Sequence, residues 1–242
     1  MKLVRRLAAG VGVLALGAGL AVATGPAHAA TTAQAKITFK VQDYSNPTHP
    51  RYGDYVSVTA EVDGPSADYY VEAGTVQIQA APAGSSAWKT VASNSSYAYY
   101  SESIKAATQF RAVFSNGSGT YYPPSGDPTP VTYPTTTSST VAISSLDRGT
   151  ALVKETKKQV CYQVGPAAYK NKPIKYYVRL GKSKKWHYDG AIRTNKKSQY
   201  CYKIKHTKVK TKTKYKGPKV KAFKTVYVKS GGMKKSVEID TF

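Results

Sequence analysis

Beyond residue 29 the apolar residues recur at every second position and not at helical spacing. Ile37-Phe39-Val41, Val56-Val58-Ala60-Val62 and Val76-Ile78-Ala80 show this early in the chain. Val160-Tyr162-Val164, Ile174-Tyr176-Val178 and Val226-Val228 show it later. Successive strand side chains point to opposite faces, so this alternation gives each segment one face for a core and one for water. Runs at i, i+3, i+4 and i+7 are missing. Short strands between turn clusters predict an all-β chain built as β-sandwiches. A hydrophobic share of 41% supplies enough apolar surface for cores and argues against wholesale disorder.

Residues 1–29 read as a cleaved signal peptide. Lys2, Arg5 and Arg6 form a basic start, Leu7 to Val22 is apolar or glycine, and Ala27-His28-Ala29 presents small residues for cleavage. A membrane anchor is the competing reading, but a span needs about 20 apolar residues and this run is shorter and rich in Ala and Gly. No Cys lies near the cleavage site, and Glu238-Ile239-Asp240-Thr241-Phe242 carries no wall-sorting pattern. The expected product is secreted, extracellular and without a membrane span, with any attachment to the cell wall noncovalent.

Proline and threonine punctuate the middle of the chain, and Pro134 to Ser139 reads as a linker. It divides the mature chain into domains 30–135 and 136–242, each of ordinary domain size. Charge splits sharply between them. Residues 30–135 hold six basic and eight acidic side chains, whereas 136–242 hold 27 basic and five acidic ones. Nearly all of the chain's formal charge of +23 therefore sits in the second part.

The two parts also echo each other. Val76 to Trp88 and Ile174 to Trp186 each place a Trp 12 residues after the first apolar strand residue, across a Gly/Ser/Lys turn. Ile104-Lys105 is matched by Ile204-Lys205, and Thr108-Gln109-Phe110-Arg111 by Thr213-Lys214-Tyr215-Lys216 after an insertion. A tandem duplication accounts for this order. Through Gly84-Ser85-Ser86-Ala87-Trp88 and Thr108-Gln109-Phe110-Arg111, residues 36–135 resemble the bacterial immunoglobulin-like repeats of secreted proteins from high-GC Gram-positive bacteria. Residues 136–242 depart from that pattern through their lysines and insertion. The resemblance implies two tandem immunoglobulin-like β-sandwiches and an adhesive, spacer or ligand-presenting role. A fold of this kind does not by itself fix a function.

Cys161 and Cys201 lie in strand-like segments, and an exported pair favours a disulfide. In the sandwich order they occupy the second and fifth strands, neighbours in one sheet. A redox or catalytic thiol is disfavoured because no CxxC is present. Trp88 and Trp186 read as repeated structural aromatics packed over a core rather than as sugar-stacking platforms. The doublets Tyr69-Tyr70, Tyr99-Tyr100, Tyr121-Tyr122 and Tyr176-Tyr177 each place one ring outward in a regular strand. Those rings could contact a sugar or a partner, or serve only as good strand residues.

The densest charge is the alternation Lys208, Lys210, Lys212, Lys214 and Lys216, followed by Lys219 and Lys221 after the turn at Gly217-Pro218. On a strand the first five ammonium groups share one face. Aligned like charges repel, so the arrangement calls for an anion. Lys suits phosphate or sulfate chains, and the shortage of Arg argues against sequence-specific reading of nucleic acid. A lysine strand that merely protects a sheet edge is the plain alternative.

Enzyme chemistry finds little material. His187, His206 and Glu155 could serve acid–base work, but HExxH, GxSxG and a phosphate loop are absent. No metal site and no cofactor are expected. The expectation is a non-enzymatic protein whose cationic part binds an anionic wall polymer, extracellular DNA or acidic polysaccharide. Its rivals are an adhesive protein using the first domain for a protein partner, with lysines only for solubility, and a cationic secreted nuclease or toxin.

Overall fold

The structure, a computed structural model, describes residues 30–43, 50–181, 183–203 and 220–241. The leader, and Lys208, Lys210, Lys212, Lys214, Lys216 and Lys219, lie outside the described residues. Every regular element among the described residues is a strand, as the period-two alternation predicts.

The first ten strands are β1 (Thr31–Thr32), β2 (Lys36–Asp43), β3 (Tyr55–Asp63), β4 (Tyr69–Pro82), β5 (Lys89–Asn94), β6 (Tyr97–Ser103), β7 (Thr108–Tyr121), β8 (Thr129–Tyr133), β9 (Thr136–Thr137) and β10 (Val141–Ile143). The remaining seven are β11 (Gly149–Thr156), β12 (Gln159–Gly165), β13 (Pro173–Leu180), β14 (His187–Arg193), β15 (Gln199–Lys203), β16 (Val220–Tyr227) and β17 (Ser236–Thr241). One sheet has the order β2-β3-β6 and its companion β1-β8-β7-β4-β5. The order then repeats, as β11-β12-β15 and β14-β13-β16-β17. Two sheets facing across an apolar layer in each half are consistent with β-sandwich construction.

The first core follows directly from the alternation. Val56, Val58, Ala60 and Val62 of β3 are buried with Val76 and Ile78 of β4 and Phe110, Ala112 and Phe114 of β7. The second core is smaller and made largely of tyrosine. Val164, Tyr169, Ile174, Tyr200 and Tyr227 form it, with Tyr162 and Tyr176 packed against it. A buried phenol needs a partner for its hydroxyl. Tyr169 donates to the Pro173 carbonyl at 2.6 Å and accepts from the Val228 amide at 2.8 Å, and the Tyr202 hydroxyl donates to that of Tyr176 at 3.2 Å. Arg148 is also buried here, 1% exposed. Its guanidinium lies 4.7 Å from the Tyr169 ring centre and donates to the carbonyls of Ala167 and Ser230.

Strand pairing revises two expectations. The stretch Pro134 to Ser139 is no free linker. Along one edge of β7, β8 pairs with residues 117–121, β9 with 113–114 and β10 with 108–110, so the first sheet extends to Ile143. Threonine signals a linker and an edge strand equally well, and hydrogen bonding decides between them. The second revision concerns the repeat. Gln79 pairs with Arg111 in the first half, and Tyr177 pairs with Lys224 in the second. The counterpart of Phe110-Arg111 is therefore Phe223-Lys224 rather than Tyr215-Lys216. The connection between β6 and β7 has four residues and that between β15 and β16 has sixteen, which places the lysine alternation inside an insertion.

The halves meet where the β2–β3 connection reaches the start of β11. The Tyr52 amide donates to the Asp147 carbonyl, the Asp147 amide donates to that of Pro50, each at 2.9 Å, and Arg51 pairs with Glu238 at 2.7 Å. A Cβ on Gly165 would collide with the Tyr52 ring, so any larger residue here must displace that ring.

The disulfide joins Cys161 of β12 to Cys201 of β15, which face each other in register. The neighbouring pair Tyr162 and Tyr200 stacks on the opposite, core-facing side, with centroids 5.5 Å apart. Replacing both cysteines with alanine should cost about 4 kcal/mol, the chain-entropy value for a loop of this length. Urea unfolding of the two proteins measures it, and equal midpoints would contradict it.

The tyrosine core also sets an alkaline limit. Burial pushes the Tyr200 phenol up to about 12, aided by the neighbouring Tyr202. Burial likewise raises Tyr176, with a further push from its bond to Tyr202, and raises Tyr227, with a further push from Glu238. A raised phenol pKa favours the neutral form in the folded state. Its contribution is fully present below the unfolded value near 10 and is lost as pH rises through about 12. Melting temperature should therefore fall steeply above pH 10, and the share of tyrosinate absorbance that belongs to the buried phenols should appear in step with unfolding.

Candidate functional site

The surface with the most chemistry is the outer face of the β14-β13-β16-β17 sheet. Ile174 and Tyr176 of β13 point into the core, so alternation turns Lys175, Tyr177 and Arg179 outward. Register places Tyr188 of β14 on one side of Tyr177 and Lys224 of β16 on the other. The two tyrosine rings meet edge to face with centroids 5.5 Å apart. The Lys224 ammonium lies 4.5 Å from the Tyr177 ring centre and 4.7 Å from that of Trp186, and the Arg179 guanidinium lies 5.4 Å from Trp186. These are cation–π distances, and they hold the charges upright on a rigid aromatic base. Tyr188 is 61% exposed, and Val237 and Ile239 of β17 continue the surface beside Lys224.

A second group of cations gathers at the end of this sheet where β13 begins. Lys170 and Lys172 come from the β12–β13 connection, Arg193 from the end of β14, and Lys196 and Lys197 from the β14–β15 connection. The two connections are tied together. The Asn171 amide donates to the Asn195 carbonyl at 3.2 Å, that of Thr194 to Lys172 at 3.1 Å, and the Arg193 guanidinium to the Asn171 carbonyl at 2.8 Å. All five basic residues are exposed, and among the described residues none of them forms an ion pair.

Of the lysines singled out from sequence, Lys221 is described and is exposed on β16. The other six lie in the insertion between β15 and β16, outside the described residues. Trp88 and Trp186 occupy matching turns, but both are half-buried and neither belongs to a core cluster. Each carries a cation on its ring, Arg111 at 4.3 Å for Trp88. The tyrosine doublets divide as alternation requires. Tyr69 stacks on Tyr121 at 4.4 Å, while Tyr70 and Tyr122 are exposed and meet edge to face at 5.3 Å. Tyr176 faces the core and Tyr177 the solvent side.

His187 is exposed on β14 and Glu155 on β11, in different sheets, and His206 is outside the described residues. Among the described residues no three His, Cys, Asp or Glu side chains are grouped to hold a metal. Sequence reasoning overlooked Tyr188 and the five-cation end. Their members are separated by as many as 27 residues, so no local pattern marks them. The place of Lys224 beside Tyr177, matching that of Arg111 beside Gln79, depends on the strand register.

No family model matches the chain, and no curated protein matches it.

Proposed function

We propose that the chain is an exported, non-enzymatic binding protein of two tandem immunoglobulin-like modules, and that the cationic second module holds it on anionic polymer outside the cell. Cell-wall teichoic or teichuronic acid, extracellular DNA and acidic polysaccharide share the required chemistry. The observation that carries this reading is the gathering of Lys170, Lys172, Arg193, Lys196 and Lys197 at one exposed end without a described ion pair. Like charges brought together cost free energy unless an anion joins them. The sixteen-residue insertion adds the lysine alternation to the same half. Binding by ammonium groups proceeds by counterion release, with little sequence readout. The disulfide supports an extracellular setting.

The test is retention of the mature chain on immobilised wall polymer and on DNA across a salt series. Tight binding at low salt should weaken linearly on logarithmic axes. Glutamine at Lys170, Lys172, Lys196 and Lys197 should flatten the slope by about 0.7–0.9 for each phosphate no longer neutralised. No binding to any anionic polymer at low salt overturns the reading.

A further inference from the structure

The duplicated scaffold contains its own control for the outer face described above. In the first half, Gln79 of β4 lies between Thr90 and Arg111, as Tyr177 lies between Tyr188 and Lys224 in the second. Arg111 and Lys224 each cover the matching Trp. A tryptophan beneath a cation is thus common scaffold and points to no ligand. The residues around it differ. The first half closes its face with hydrogen bonds, Arg111 to Gln79 at 2.9 Å and Thr90 to Gln77 at 3.2 Å. The second half replaces Gln77, Gln79 and Thr90 with Lys175, Tyr177 and Tyr188. Among the described residues these three side chains make no hydrogen bond and no ion pair. A closed polar network has become an open surface of rings and charges.

We infer that this face, built from Lys175, Tyr177, Arg179, Trp186, Tyr188 and Lys224, is a binding strip for a polysaccharide of uronic acid residues. The inference rests on the polyanion reading and names its ligand class. Outward residues on one strand are spaced about 6.6–6.8 Å apart, so Lys175, Tyr177 and Arg179 present charge, ring and charge in line. A linear chain of charged rings matches that order. Lys224 sits 4.5 Å from one ring centre and 4.7 Å from another, so a ligand must bring an anion and a stackable surface close together. A uronic acid residue does so, because its carboxylate is attached to the pyranose whose C–H face packs on aromatics. Polyphosphate has the anion without the ring. In a nucleotide the sugar separates base from phosphate, so the stackable ring and the anion lie farther apart than in a uronic acid residue.

The experiment titrates the mature chain with a uronic acid oligosaccharide, with polyphosphate of equal charge and with single-stranded oligonucleotide. Tyr188→Ala and Tyr177→Ala should each weaken oligosaccharide binding about three- to tenfold and leave polyphosphate within twofold. Tyr188→Phe should retain wild-type affinity. In a Trp88→Phe background, Trp186 fluorescence should respond to the oligosaccharide and not to polyphosphate. Near-ultraviolet circular dichroism checks that each variant folds, and Tyr188, being mostly exposed, is the variant least disturbed. Equal affinities for all three polymers, unmoved by the tyrosine changes, overturn the inference while the polyanion reading stands. A larger loss for the oligonucleotide than for the oligosaccharide also overturns it, in favour of single-stranded nucleic acid. No binding to any of the three at low salt removes both.

Discussion

Mutual repulsion shapes the second half, because residues 136–242 must close a core while carrying 27 basic side chains against five acidic ones. Repulsion of this kind favours expansion. The half opposes it in three ways. A disulfide fixes β12 to β15. Aromatic rings receive charges that have few carboxylates to meet, at Tyr169, Tyr177 and Trp186. Backbone carbonyls receive Arg148, and burial lowers the pKa of that guanidinium. The tyrosines of the second core serve the same need. A phenol fills a core, accepts or donates a hydrogen bond, and offers a cation a negative face.

Against this background the first half serves as the reference state of the same design. Its sheets have the same order, its core is aliphatic and phenylalanine-rich, and its charge is nearly balanced. The halves differ in their core residues, on one outer sheet face and in the connection between β15 and β16.

Much of the strand content was legible because burial on one face forces alternation. Val56 to Val62 and Ile174 to Tyr176 show it directly. The pairing of Cys161 with Cys201 was legible from the strand order. Register was harder. Thr213-Lys214-Tyr215-Lys216 looks more like Thr108-Gln109-Phe110-Arg111 than Lys221-Ala222-Phe223-Lys224 does, yet strand pairing selects the latter. Local similarity cannot see which residue stands across the sheet. The same limit hid Tyr188, whose relation to Tyr177 exists only once β13 and β14 are paired. Trp88 and Trp186 were expected over a core, and aromatic bulk alone does not say that a guanidinium covers each from outside.

The junction gives the two halves a shared anatomy. Arg51 belongs to the first half by sequence and is paired with Glu238 of the last strand, while Tyr52 fills the notch left by Gly165. Residues 136–143, charged to the second half by composition, complete the edge of β7. Scission at 135/136 would leave part of the β7 edge open, separate Arg51 from Glu238 and uncover the notch at Gly165. Each fragment would then carry a wound that the intact chain lacks, with the exposed edge a template for aggregation. The half that repeats its strand order is thus not the unit that can be cut out.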